Sequence, residues 1–151
     1  MGDDDNGDEL LLAARIPKLV ITSAILLALA AAFVGLVALQ NLAFVTWRGS
    51  FALMPYGLLV LAVAGLFVAS KLHRARGWSL GAGLAVGALL VLSSGGFFVL
   101  SILSGMLSPL ALLAVPTALA ALVVEVLAAR PFSELTARRT RLKKAGFDLD
   151  L

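Results

Sequence analysis

Between Leu19 and Leu39 the chain runs for 21 residues without a charged side chain. At 1.5 Å per residue such a segment forms a helix of about 31 Å, the thickness of a hydrocarbon core of about 30 Å. Three further apolar runs follow at about 53–70, 80–104 and 109–129, and the last of them holds one charge, Glu125. Lipid offers no partner to a backbone N–H or C=O, so a run of this length crosses as a helix that satisfies its own backbone. The fold class expected is all-α membrane: four transmembrane helices in an up-down bundle.

Composition agrees with that reading. Apolar residues make up 61% of the 151 and charged residues 14%, with a mean hydropathy of +1.03, whereas a soluble domain carries about a quarter charged residues. The absence of cysteine excludes disulfides, thiolate metal sites and cysteine nucleophiles. Leu19 to Leu29 followed by Ala30-Ala31-Ala32 has the length and small-residue ending of a secretory signal. The flank before it is net acidic and the apolar run continues through Phe33, so the segment is expected to stay as a membrane anchor.

Three regions result. Residues 1–17 form an acidic leader, in which Asp3, Asp4, Asp5, Asp8 and Glu9 leave little to bury and disorder is expected. Residues 18–130 hold the four spans. Residues 131–151 form a basic tail, set off where Arg130-Pro131 is expected to stop the fourth span. In that tail Ser133 is placed to cap a short helix on which Leu135 and Leu142 share a face. Pro55 falls in the first turn of the second span, Ser108-Pro109 is a helix start, and Pro116 is expected to kink the fourth span.

The distribution of cations orients the chain. Arg15 and Lys18, the elbow residues Lys71, Arg74 and Arg76, Arg130, and the tail residues Arg138, Arg139, Arg141, Lys143 and Lys144 all fall on one side of a four-span topology. Arg48, in the connection that also holds Trp47, is alone on the other. The positive-inside rule then places both termini and the elbow of this multi-pass chain in the cytoplasm, N-in and C-in. The elbow and tail cations are expected to contact the anionic inner leaflet, at roughly 1 kcal/mol per Lys or Arg. Nucleic acid is not expected as a partner, because the basic tail lacks interleaved aromatics and a recognition fold.

Small residues suggest how the helices pack. Ala24, Ala28, Ala31 and Gly35 make a smooth stripe on the first span. On the third, Gly83 and Gly87 form a G-x-x-x-G pair continued by Ser94, Ser101 and Gly105, and this face is expected to make the bundle's closest helix contact. Ser93-Ser94-Gly95-Gly96 lies near the predicted bilayer centre. Two readings apply: a continuous helix whose serines bond the preceding turn, which is preferred, or a broken helix lining a substrate path.

Chemistry is sparse. Glu125 is the one ionisable residue within a predicted span and therefore a functional hypothesis by default. Lying five residues before Arg130, it is expected to reach the interface or pair with Arg130 or an elbow cation, as an anchor. His73 is the single histidine, with no second ligand in helical reach, so neither a metal nor a cofactor is expected. No catalytic constellation can be assembled, and the chain is read as non-enzymatic.

The hairpin from Leu39 to Ser70 combines a span ending in Gln40-Asn41, an alternating hydrophobic linker from Phe44 to Phe51, Pro55 entering the next span, and Gly65 within it. In this it resembles the two-span domain of the bacterial lipopolysaccharide assembly protein A family. The resemblance covers about a third of the chain, and here two more spans follow where that family has a cytoplasmic part. It implies an inner-membrane accessory that docks other proteins and carries no catalytic residues. The function expected is that of a scaffold, assembly factor or small subunit with a protein partner or a second copy of itself. The alternative is a small transporter or pore-forming subunit whose path uses Ser93, Ser94, Gly95, Gly96 and Glu125.

Overall fold

A computed structural model describes residues 11–13, 15–44, 53–103, 105 and 109–144. Among these the regular structure is helical, in four long elements: α1 (Lys18–Phe44), α2 (Met54–His73), α3 (Ser79–Leu103) and α4 (Pro109–Lys144). All four are long and apolar enough to cross a membrane. Trp47, Arg48 and most of the alternating linker of the hairpin lie outside the described residues, as does the acidic leader up to Leu10.

The helices are apolar around their whole circumference, as expected where the solvent is hydrocarbon. Large side chains face outward, among them Leu29, Leu36, Val60, Val63, Leu92, Val123 and Leu127. The interior combines many alanine, glycine and serine residues with a smaller set of large side chains. α1 packs on α2 and α4, and α3 packs on the same two, so α1 and α3 meet only weakly across the diagonal.

Two clusters fill the interior. The larger includes Leu27, Ala30, Ala31, Val34, Leu58, Leu90, Phe97, Ala114 and Ala118. The smaller gathers Val20, Ala24, Leu72, Ala75, Ala128, Phe132 and Leu135 from the start of α1, the end of α2 and the later part of α4. This second cluster closes the end of the bundle that carries Lys18, the elbow and the basic residues of α4.

Two helices run further than expected. α1 continues through Gln40-Asn41 to Phe44, and the Asn41 side-chain amide donates to the Val37 carbonyl at 2.7 Å and stays buried. α4 does not stop at Arg130-Pro131; it is one helix of 36 residues, about 54 Å long, with Pro116 and Pro131 inside it. Proline removes one N–H and therefore one backbone bond, and the Ser133 hydroxyl, expected to cap a new helix, donates to the Arg130 carbonyl within the old one at 2.8 Å. Phe132 and Leu135 hold the extension by packing on α1 and the elbow.

Glycines also shape the contact between α1 and α2. A Cβ built on Gly65 of α2 would stand 2.7 Å from the Cβ of Ala31, and one on Gly35 3.2 Å from that of Ala62. The α1–α2 pair thus sets glycines against alanine Cβ atoms, among them Ala31 of the α1 stripe, while α3 turns its glycine pair to a side chain.

Candidate functional site

On α4 the buried residues are Ala111, Ala114, Ala118, Ala121, Glu125, Ala128, Phe132, Leu135 and Leu142. Up to Leu135 they alternate at three and four residues, the seam of a left-handed helix pair. Every seam position up to Ala128 is alanine except one. Glu125 stands where the repeat calls for a small residue, so its side chain has to be received by the neighbouring helix.

α3 receives it. A Cβ on Gly83 would lie 2.9 Å from Glu125 Oε1, and a Cβ on Gly87 would lie 2.8 Å from Oε2. Each glycine leaves the space that one carboxyl oxygen occupies, and no other residue type at either position allows this side-chain placement. Leu122 and Leu72 border the notch. Glu125 is fully buried, and neither oxygen has a hydrogen-bond partner.

This corrects the expectation that Glu125 pairs with Arg130. Arg130 Nε instead lies 3.4 Å from Glu134 Oε1 in an exposed pair one turn further along. The reason is the continuity of α4: the helix does not end near Glu125, and beyond it Ala128, Phe132 and Leu135 are buried in a further hydrophobic cluster. Chemically the site is a lone internal acid. Ionised, an unpartnered carboxylate in such surroundings costs several kcal/mol, so its chemistry is that of a group that takes up or releases a proton, or meets a cation when the helices part.

Other predicted residues are placed as follows. Ser94 and Ser101 are buried on the same face of α3 as Gly83 and Gly87, whereas Gly105 lies past the end of α3, exposed, with φ +70° and nothing within 4 Å of its Cβ position. α3 is continuous through Ser93-Ser94-Gly95-Gly96: the Ser93 hydroxyl donates to the Leu90 carbonyl at 3.2 Å and that of Ser94 to the Val91 carbonyl at 3.3 Å. A void of about 10 Å³ beside Ser93 and Ser94 has room for one water at most. A Cβ at Gly95 or Gly96 would meet nothing within 4 Å among the described residues.

The basic residues divide into two groups. Arg74, Arg76, Arg138, Arg141, Lys143 and Lys144 are exposed. Lys71 Nζ sits 5.1 Å from the centre of the Phe67 ring, on which Trp78 also stacks at 6.4 Å. Arg139 is half-buried on the α4 seam, and its guanidinium donates to the Ala13 carbonyl at 3.1 Å and the Ala75 carbonyl at 3.4 Å. Burial pushes its pKa down from the usual arginine value, and a guanidinium stays charged in a protein. Arg139 is thus a clamp joining α4 to the segment before α1 and to the elbow, a role its place in a basic tail did not reveal.

That elbow is itself ordered. The Arg76 N–H donates to the Lys71 carbonyl and the Ala75 N–H to the Leu72 carbonyl, the paired bonds of a Schellman ending, with Ala75 at φ 50° where glycine usually stands. His73 is exposed beside it. The signal that could have located Glu125 was the alanine heptad of α4, read together with Gly83 and Gly87. No family model matches the chain, and no curated protein or solved structure is similar to it.

Proposed function

We propose that the chain is a non-enzymatic, multi-pass protein of a bacterial inner membrane, with N-in and C-in topology, that acts by holding other proteins: a scaffold, assembly factor or small subunit. The observation that carries this reading is the division of the surface. Large aliphatic side chains cover the outside of the apolar region, and exposed cations crowd one end, where α4 extends beyond the length a bilayer needs. A helix that projects past the bilayer with Arg138, Arg141, Lys143 and Lys144 exposed offers an acidic partner a fixed handle. The resemblance of the first hairpin to the lipopolysaccharide assembly protein A family supports the same reading.

Cross-linking in native membranes followed by affinity purification tests it. A stable partner or a homo-oligomer is expected, and a strictly monomeric protein without a partner would overturn the proposal. Topology is tested separately by a reporter fused after Leu151, which should read as cytoplasmic.

One observation favours a second reading, a small proton-coupled transporter: the buried, unpartnered Glu125 in its glycine notch. Flux in proteoliposomes that Glu125→Gln abolishes would support it. The continuous α3 and the 10 Å³ void beside Ser93 and Ser94 weigh toward the scaffold, since a path there has no volume.

A further inference from the structure

A cavity of about 300 Å³ opens at the basic end, between the segment leading into α1 and the extension of α4. Arg15, Lys18 and Arg138 bring three cations to it, while Ile16, Pro131 and Leu135 supply apolar wall. Its volume is at the lower end of the range of small-molecule sites. The charged side chains of Arg15, Lys18 and Arg138 make no hydrogen bond or ion pair with described residues. Glu134, the one carboxylate in the lining, is paired with Arg130.

We infer that this cavity is a discrete site for one anionic phospholipid, its phosphate held among Arg15, Lys18 and Arg138 and the glycerol end of its chains against Ile16, Pro131 and Leu135. The level is suited to that occupant. Lys18 opens α1 and Pro131 follows the apolar stretch of α4, so the cavity lies where hydrocarbon gives way to headgroups. A free anion would gain from the three cations but leave the apolar wall wet. A zwitterionic lipid would bring an ammonium toward the same cations. Basic pockets of this kind at the ends of membrane helices suit anionic headgroups. The site differs from diffuse attraction of the leaflet to the exposed cations, because it needs these three residues and one stoichiometric lipid. It rests on the proposed membrane embedding, but not on which leaflet the basic end faces.

The test uses the full chain in detergent, with lipid binding read by native mass spectrometry and by thermal shift. Phosphatidylglycerol, phosphatidylcholine and inorganic phosphate are compared on the wild type and two triple variants. One variant is Arg15→Gln, Lys18→Gln, Arg138→Gln; the other, Arg141→Gln, Lys143→Gln, Lys144→Gln, removes equal charge away from the cavity. One retained phosphatidylglycerol is expected, weakened at least tenfold by the first variant and under twofold by the second. Equal weakening by both variants, equal retention of phosphatidylcholine, or an equal shift from inorganic phosphate would overturn the site. If the first triple variant does not fold, the three single variants are compared with Arg141→Gln, and equality among them overturns it likewise. A reporter after Leu151 that reads as periplasmic, with lipid binding intact, would overturn the orientation and leave the site standing.

Discussion

Glu125 and Ala75 are the two residues whose surroundings conflict with their chemistry. Glu125 is a buried acid without a donor, and replacing such a group with an apolar one of similar shape is neutral or stabilising, by up to a few kcal/mol. Glu125→Met is therefore expected to raise the unfolding midpoint in mixed micelles by the equivalent of about 1–3 kcal/mol. A comparable loss would mean that a donor reaches the carboxyl. Ala75 holds a left-handed backbone that costs an L-residue roughly 1–2 kcal/mol. Ala75→Gly relieves it and is expected to stabilise the elbow by about 0.5–1 kcal/mol net of the entropy glycine loses on folding, seen as slower amide exchange at Arg76. Neither conflict was legible from residue type. The first depends on what α3 places opposite position 125, and the second on a φ angle.

Among elements, the two glycine pairs do different work. A Cβ added at Gly65 and the Cβ of Ala31 would both be carried directly by backbone, so no side-chain rotation could separate them. Gly65→Ala is expected to cost about 1–3 kcal/mol, in the range of overpacked cores, and Ala31→Gly in the same chain should recover most of that. A double-mutant cycle on unfolding in micelles measures both. Gly83→Ala should cost less, because the atom in its way is the rotatable end of Glu125. The G-x-x-x-G pair on α3 was plain in the sequence, and so was the small-residue stripe of α1. Which of them meets an alanine Cβ and which a carboxyl could not be read, because spacing identifies a smooth face without identifying what it faces.

At the scale of the molecule, the basic end is a built structure and not a loose fringe. Arg139 reaches from α4 to carbonyls of Ala13 and Ala75, 126 and 64 residues away along the chain. Arg139→Ala removes two charge-assisted bonds, each of which is worth about 1.5–3 kcal/mol when fully formed; at this half-buried position a combined loss of about 2 kcal/mol is expected. Limited proteolysis at the elbow should accelerate while α1–α2 packing is unchanged, and Arg139→Lys should rescue only in part because one ammonium lacks the fork that spans two carbonyls. If Arg139 served only to attract lipid, the lysine variant would behave as wild type.

The number of long apolar helices, their approximate limits and the concentration of charge at the connections and ends follow from the sequence alone, because a spanning helix is a local object. Its length is set by the bilayer and its hydrogen bonds close within the segment. Where α4 ends, which glycines face an alanine Cβ, and what surrounds Glu125 were decided by tertiary structure. Pro131 can end a helix or sit within one, and the packing of Phe132 and Leu135 against α1 and the elbow selected the second. Glu125 is buried because Gly83 and Gly87 on α3 leave its carboxyl room. Residues so far apart in sequence become one site only when the helices meet.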